Sequence, residues 1–139
     1  YEEYQAALVG ANRSQYIRPL GIFEEIELVL SLRESIPEFC TSGDKVSTIN
    51  WVDVTPIVLP PEFRLGYSYL HAHWAREINP IHHAPNQTIF EKNDCIFLPK
   101  LFFNKYDFNL VSYYTTVLQK RMKVVGENTF WKVYRHETR

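Results

Sequence analysis

The chain has 139 residues, with 15 Lys+Arg against 16 Asp+Glu and a formal net charge of −1. That balance excludes a generally basic, phosphate-coating protein, and 45% hydrophobic with 15% aromatic residues excludes a disordered chain. No apolar run reaches the roughly 18 residues of a membrane span.

Residues 1–139 therefore read as one domain with its own core, and the start at Tyr1 rather than methionine as a processed or excised part of a longer product.

Tyr1 to Val9 reads as a short helix stopped by Gly10. In the next helix Ile22, Ile26, Val29 and Leu30 form one stripe, with Phe23 beside it. Glu24, Glu25 and Glu27 suit its positive end, Arg33 its negative end, and Pro37 closes it. After the turn cluster Thr41–Asp44, Lys45 to Leu59 is rich in branched and aromatic residues: Val46, Ile49, Trp51, Val52, Val54, Ile57 and Val58. Pro56 there suits an edge or a bulge. Phe63, Leu65, Tyr67 and Tyr69 alternate with Arg64, Gly66 and Ser68, as in a half-buried strand.

Pro80 to Lys92 reads as loop, and Asp94 to Leu98 as a short apolar strand ended by Pro99. Leu110 to Val125 is long enough for an extended strand that Gly126–Asn128 turns into Thr129–His136. That turn sets Val124 opposite Phe130 and places Leu118, Met122 and Tyr134 on one face. The expected fold class is α+β: two N-terminal helices packed on an antiparallel β-sheet or small β-barrel, ending in a long β-hairpin.

Four of the five histidines fall between residues 71 and 83. On a strand His71 and His73 point to one face, Glu77 adds a carboxylate, and His82 or His83 completes a set of three or four ligands. The spacing His71-x-His73-x-x-x-Glu77 resembles the first metal motif of the cupins, small β-barrel proteins that bind divalent ions. Asn93–Pro99 resembles the strand that opens their second motif. The resemblance implies one divalent metal held by His71, His73 and Glu77, with the fourth place vacant or filled by His82 or His83.

Other chemistry is thin. Gly66–Tyr67–Ser68 lacks the second glycine of a nucleophile elbow, and the scattered glycines make neither a P-loop nor a dinucleotide fingerprint. Cys40 and Cys95 suit either one disulfide or two reduced core residues. Asn12–Arg13–Ser14 and Asn86–Gln87–Thr88 fit the glycosylation acceptor pattern. Lys120, Arg121 and Lys123, with Lys132 and Arg135 across the hairpin, form a basic patch interleaved with Tyr113, Tyr114, Trp131 and Tyr134. Such interleaving suits a contact surface, for a protein or for single-stranded nucleic acid.

With no complete catalytic constellation, the leading expectation is a non-catalytic interaction or structural domain within a larger assembly. Its partners are other protein subunits, and it needs no cofactor. The alternatives are the metal-binding, cupin-like barrel, with or without metal-dependent catalysis, and nucleic-acid binding by the basic hairpin.

Overall fold

The computed structural model describes residues 22–49, 54–67, 86–100 and 114–136. The described helices are α1 (Ile22–Phe39), α2 (Thr55–Val58), α3 (Asn86–Glu91) and α4 (114–121). The strands are β1 (Lys45–Thr48), β2 (Arg64–Leu65), β3 (Cys95–Pro99), β4 (Lys123–Glu127) and β5 (Trp131–Arg135). They form one open sheet in the order β2-β1-β3-β5-β4. The chain is α+β, as expected. The sheet is mixed rather than antiparallel: β1 runs parallel to both β2 and β3, and only β3–β5 and β4–β5 are antiparallel. The described strands do not close into a barrel.

The parallel half goes with two short helices in segments whose composition reads as strand or as loop. Thr55–Val58 is a helical turn begun by Pro56, whose fixed φ and missing donor suit a first turn. Asn86–Glu91 is helical inside the stretch read as loop. Helices between β1, β2 and β3 supply the crossovers that parallel pairing requires. The long strand expected from Leu110 is corrected too, because 114–121 is helix and extended chain begins at Lys123. The hairpin is therefore short, and its turn lies at Asn128–Phe130, not Gly126–Asn128. Val124 consequently pairs with Tyr134 instead of Phe130, with a bulge between Val124 and Gly126.

β3 is central and buried along its whole length, which is why Cys95–Pro99 reads as an unbroken apolar run. On one face α1 packs Leu28, Leu32, Ile36 and Cys40 against Val46, Cys95, Phe97, Trp131 and Val133. Phe97 and Trp131 meet edge to face at 6.0 Å, and the indole Nε1 donates to the Leu28 carbonyl at 3.3 Å. Phe39 lies so close to Gly126 that a Cβ there would stand 2.1 Å from its ring. Any side chain at 126 would force that ring to move.

Side chains alternate along a strand, so Tyr134 and His136 point to the opposite face. There His136 Nε2 donates to the Phe90 carbonyl at 2.6 Å and lies 3.1 Å from that of Asn93, tying β5 to the end of α3. The Arg121 guanidinium of α4 lies 4.3 Å above the Phe90 ring. Ile89, Phe90, Leu118 and Met122 are buried, so α3 and α4 supply the second layer of helix.

The apolar phase of α1 is the other notable correction. Its core stripe is Leu28, Leu32 and Ile36, whereas Ile26 and Leu30 of the expected stripe, and Phe23 beside it, are exposed. Nor does Pro37 end the helix, which runs to Phe39. Pro37 is exposed there, so the Arg33 carbonyl that loses its helical donor is on the wet side.

Candidate functional site

The outer side of α1 presents Phe23, Ile26 and Leu30, which are 78%, 50% and 49% exposed. Spacings of three and four residues put them on one helical face. Leu30 then joins an open groove of about 430 Å³ between α1 and the β4–β5 turn. One wall carries Glu27, Ser31, Glu34, Ser35 and Glu38; the other is Asn128, Thr129 and Phe130. Leu30 and Phe130 make it apolar, and the glutamates make its rim acidic. Among the described residues that line it the charged ones are Glu27, Glu34 and Glu38.

Asn128 fixes the second wall. Its Oδ1 accepts the amides of Phe130 at 3.1 Å and Trp131 at 3.0 Å, and its own amide donates to the Trp131 carbonyl at 2.9 Å. Asn128 Nδ2 donates to Ser35 Oγ at 2.8 Å, and that hydroxyl donates to the Ser31 carbonyl. Behind the turn, Lys100 Nζ donates to the Asn128 carbonyl at 2.9 Å and pairs with Glu127 at 3.7 Å. The groove is thus held by hydrogen bonds from three elements, so little ordering remains to be done when something enters it.

A second cluster lies where α1 meets β1. Cys40 and Cys95 are joined in a disulfide, with Cα atoms 6.0 Å apart, which settles the alternative the sequence left open. Beside it Arg135 donates through Nε to Asp44 Oδ2 and through a terminal nitrogen to Oδ1, both at 3.0 Å. Asp44 Oδ2 also accepts the Thr41 amide at 2.8 Å. Gly43 takes φ +89° in that turn, a backbone position that a side chain would strain. Cys40, Asp44 and Cys95 offer ligand atoms within 4.8 Å of one another. Here, however, the sulfurs are bonded to each other and the carboxylate is engaged by Arg135 and Thr41. The cluster acts as a structural clamp.

His71, His73, Glu77, His82 and His83 lie outside the described residues, as does Tyr113. The basic surface is partly dismantled. Lys120, Arg121 and Lys123 are exposed, but the first two sit at the end of α4 rather than on a strand. Lys132 and Arg135 are half-buried, Lys132 with its ammonium 6.0 Å from the Tyr134 ring centre and Arg135 on Asp44. Trp131 is corrected from surface to core, where it is fully buried. Tyr114 and Tyr134 are buried as well.

The α1 groove is not legible in the sequence because Ile26 and Leu30 share an apolar stripe with the period of a core-facing one. The available signal was a helix with apolar residues on two phases between Ile22 and Leu32, more than one buried stripe requires. Comparison with protein-family models, curated proteins and solved structures finds no match to this chain.

Proposed function

We propose that this chain is a non-catalytic protein-interaction domain, a component of a larger assembly, that docks a partner along the outer side of α1 and the tip of the β4–β5 hairpin. The observation that carries this reading is the exposed row Phe23, Ile26, Leu30, continuous with a groove whose far wall is fixed by Asn128. Contiguous exposed apolar surface rimmed by polar groups is the physical signature of a contact site. The Cys40–Cys95 bridge supports an oxidising compartment for the chain, where such bonds persist.

A photo-crosslinking aromatic residue in place of Phe23, introduced in the native cell, tests the reading. A discrete adduct that disappears with Ile26→Ser and Leu30→Ser is expected. The same residue at Ile57, which is 82% exposed but outside the groove, serves as the control. No adduct, or equal adducts from both positions, overturns the proposal.

Nucleic-acid binding by Lys120, Arg121 and Lys123 has weaker support. Among the described residues, the rings expected beside those cations, Tyr114, Trp131 and Tyr134, are buried rather than free to stack on bases.

A further inference from the structure

Resting on the docking role proposed above, we infer that the occupant of the α1 groove is a basic amphipathic helix: leucine-sized side chains enter against Leu30 and Phe130, and lysines or arginines face Glu27, Glu34 and Glu38. The groove commits its partner through charge. Among the described lining residues the only charged ones are three glutamates, with Lys100 turned behind the wall onto Asn128 and Glu127, although the chain as a whole is nearly neutral at −1. The asymmetry is local, and a partner of opposite sign gains both attraction and correct orientation from it.

Spacing points to a helix rather than an extended peptide. Glu27, Glu34 and Glu38 are seven and four residues apart, hence about 10 Å and about 6 Å along the axis of α1. A second helix laid alongside repeats its own side chains at those same intervals, so one cationic face meets all three carboxylates. An extended strand repeats its same-face side chains about every 7 Å and would match one interval at most. Sheet augmentation has little to offer at the edges: β2 has two residues, while β4 carries a bulge and an outward lysine, Lys123. The groove is also open to solvent rather than closed around a small ligand.

The test uses the full oxidised chain and two synthetic 18-residue amphipathic peptides with identical leucine faces, one with lysines and one with glutamates on the polar face. Fluorescence anisotropy should show saturable binding of the lysine peptide, weakened about tenfold or more by 300 mM salt. Glu27→Gln/Glu34→Gln/Glu38→Gln should weaken it comparably, Leu30→Ser should nearly abolish it, and the glutamate peptide should bind at least about tenfold more weakly. All four positions are exposed, so thermal unfolding of these variants should match the parent and exclude misfolding.

Equal, salt-insensitive binding of both peptides would overturn the charge assignment while leaving a docking surface in place. Lysine-peptide binding that ignores both sets of substitutions would place it elsewhere and overturn the inference. If sedimentation shows the chain self-associating through Leu30, the occupant is a second copy and the basic helix is wrong. Absence of peptide binding beside a positive Phe23 crosslink sinks the inference alone; absence of both sinks the docking reading with it.

Discussion

Asp44 closes the Thr41 turn with one oxygen and holds Arg135 with both, at the point where α1, β1 and β5 converge. The pair is largely buried, with side chains 11% and 18% exposed. Removing the carboxylate charge therefore leaves a desolvated guanidinium without its anion. Asp44→Asn is expected to lower stability by about 2–3 kcal/mol, read as a shift in the urea midpoint at unchanged slope. An effect below about 0.5 kcal/mol, the usual worth of an exposed pair, would show the ion pair to be solvated.

Tyr134 presents the opposite case. Its ring is fully buried and its hydroxyl has no hydrogen-bond partner among the described residues. Burial, followed by the nearby Glu127 carboxylate, raises the phenol above its ordinary value. Because the folded pKa lies above the unfolded one, the neutral phenol's contribution is complete below about pH 10 and is lost as pH climbs beyond it. Tyr134→Phe should remove part of that alkaline loss and, by deleting an unpaired buried hydroxyl, add about 1 kcal/mol near neutrality. Unfolding curves at pH 8 and pH 11 for both proteins check the two claims; a destabilised Phe variant would mean the hydroxyl is bonded.

At the scale of the element, α1 shows how a helix with too many apolar residues is resolved. The row Ile22, Ile26, Val29, Leu30 runs into Arg33 and Glu34, whereas Leu28, Leu32, Ile36 and Phe39 continues to the helix end, where Cys40 anchors it. The longer row reaches the sheet. The energetic expectation is a contrast: Leu32→Ala should cost about 2–5 kcal/mol, a buried side chain lost with its cavity. Ile26→Ser and Leu30→Ser should cost less than about 1 kcal/mol. Equal costs at Leu30 and Leu32 in thermal unfolding would mean the outer row is already covered within this chain. The hairpin displays the same ambiguity in strand form. Val124 and Tyr134 pair because the turn begins at Asn128, whose side chain caps it, and a shift of two residues changed every partner.

For the whole molecule, the disulfide joins the C-terminal end of α1 to the central strand, across a sequence separation of 55 residues. Closing a loop of that size restricts the unfolded chain by about 4 kcal/mol. The bridge also fastens one helical layer to a sheet whose parallel half has few residues in β1 and β2. Cys40→Ala/Cys95→Ala is expected to lower the unfolding free energy by about that amount while leaving far-UV circular dichroism intact at low temperature. A loss under about 1 kcal/mol would mean that α1 is held by packing alone.

Taken by itself, the sequence determined the local features: the helix in the twenties and thirties, the Thr41–Asp44 turn, the apolar strand after Asp94 and the final extended segment. Each depends on neighbours a few residues apart, where apolar period, glycine and asparagine act directly. Parallel pairing, the helices at Thr55–Val58, Asn86–Glu91 and 114–121, and the inward side of α1 required the tertiary structure. In those segments branched and aromatic residues suit strand and helix almost equally, and only burial against the sheet selects one. The candidate groove belongs to this second group. Its walls come from residues about a hundred positions apart, and its apolar row became a surface only once another row had been chosen for the core.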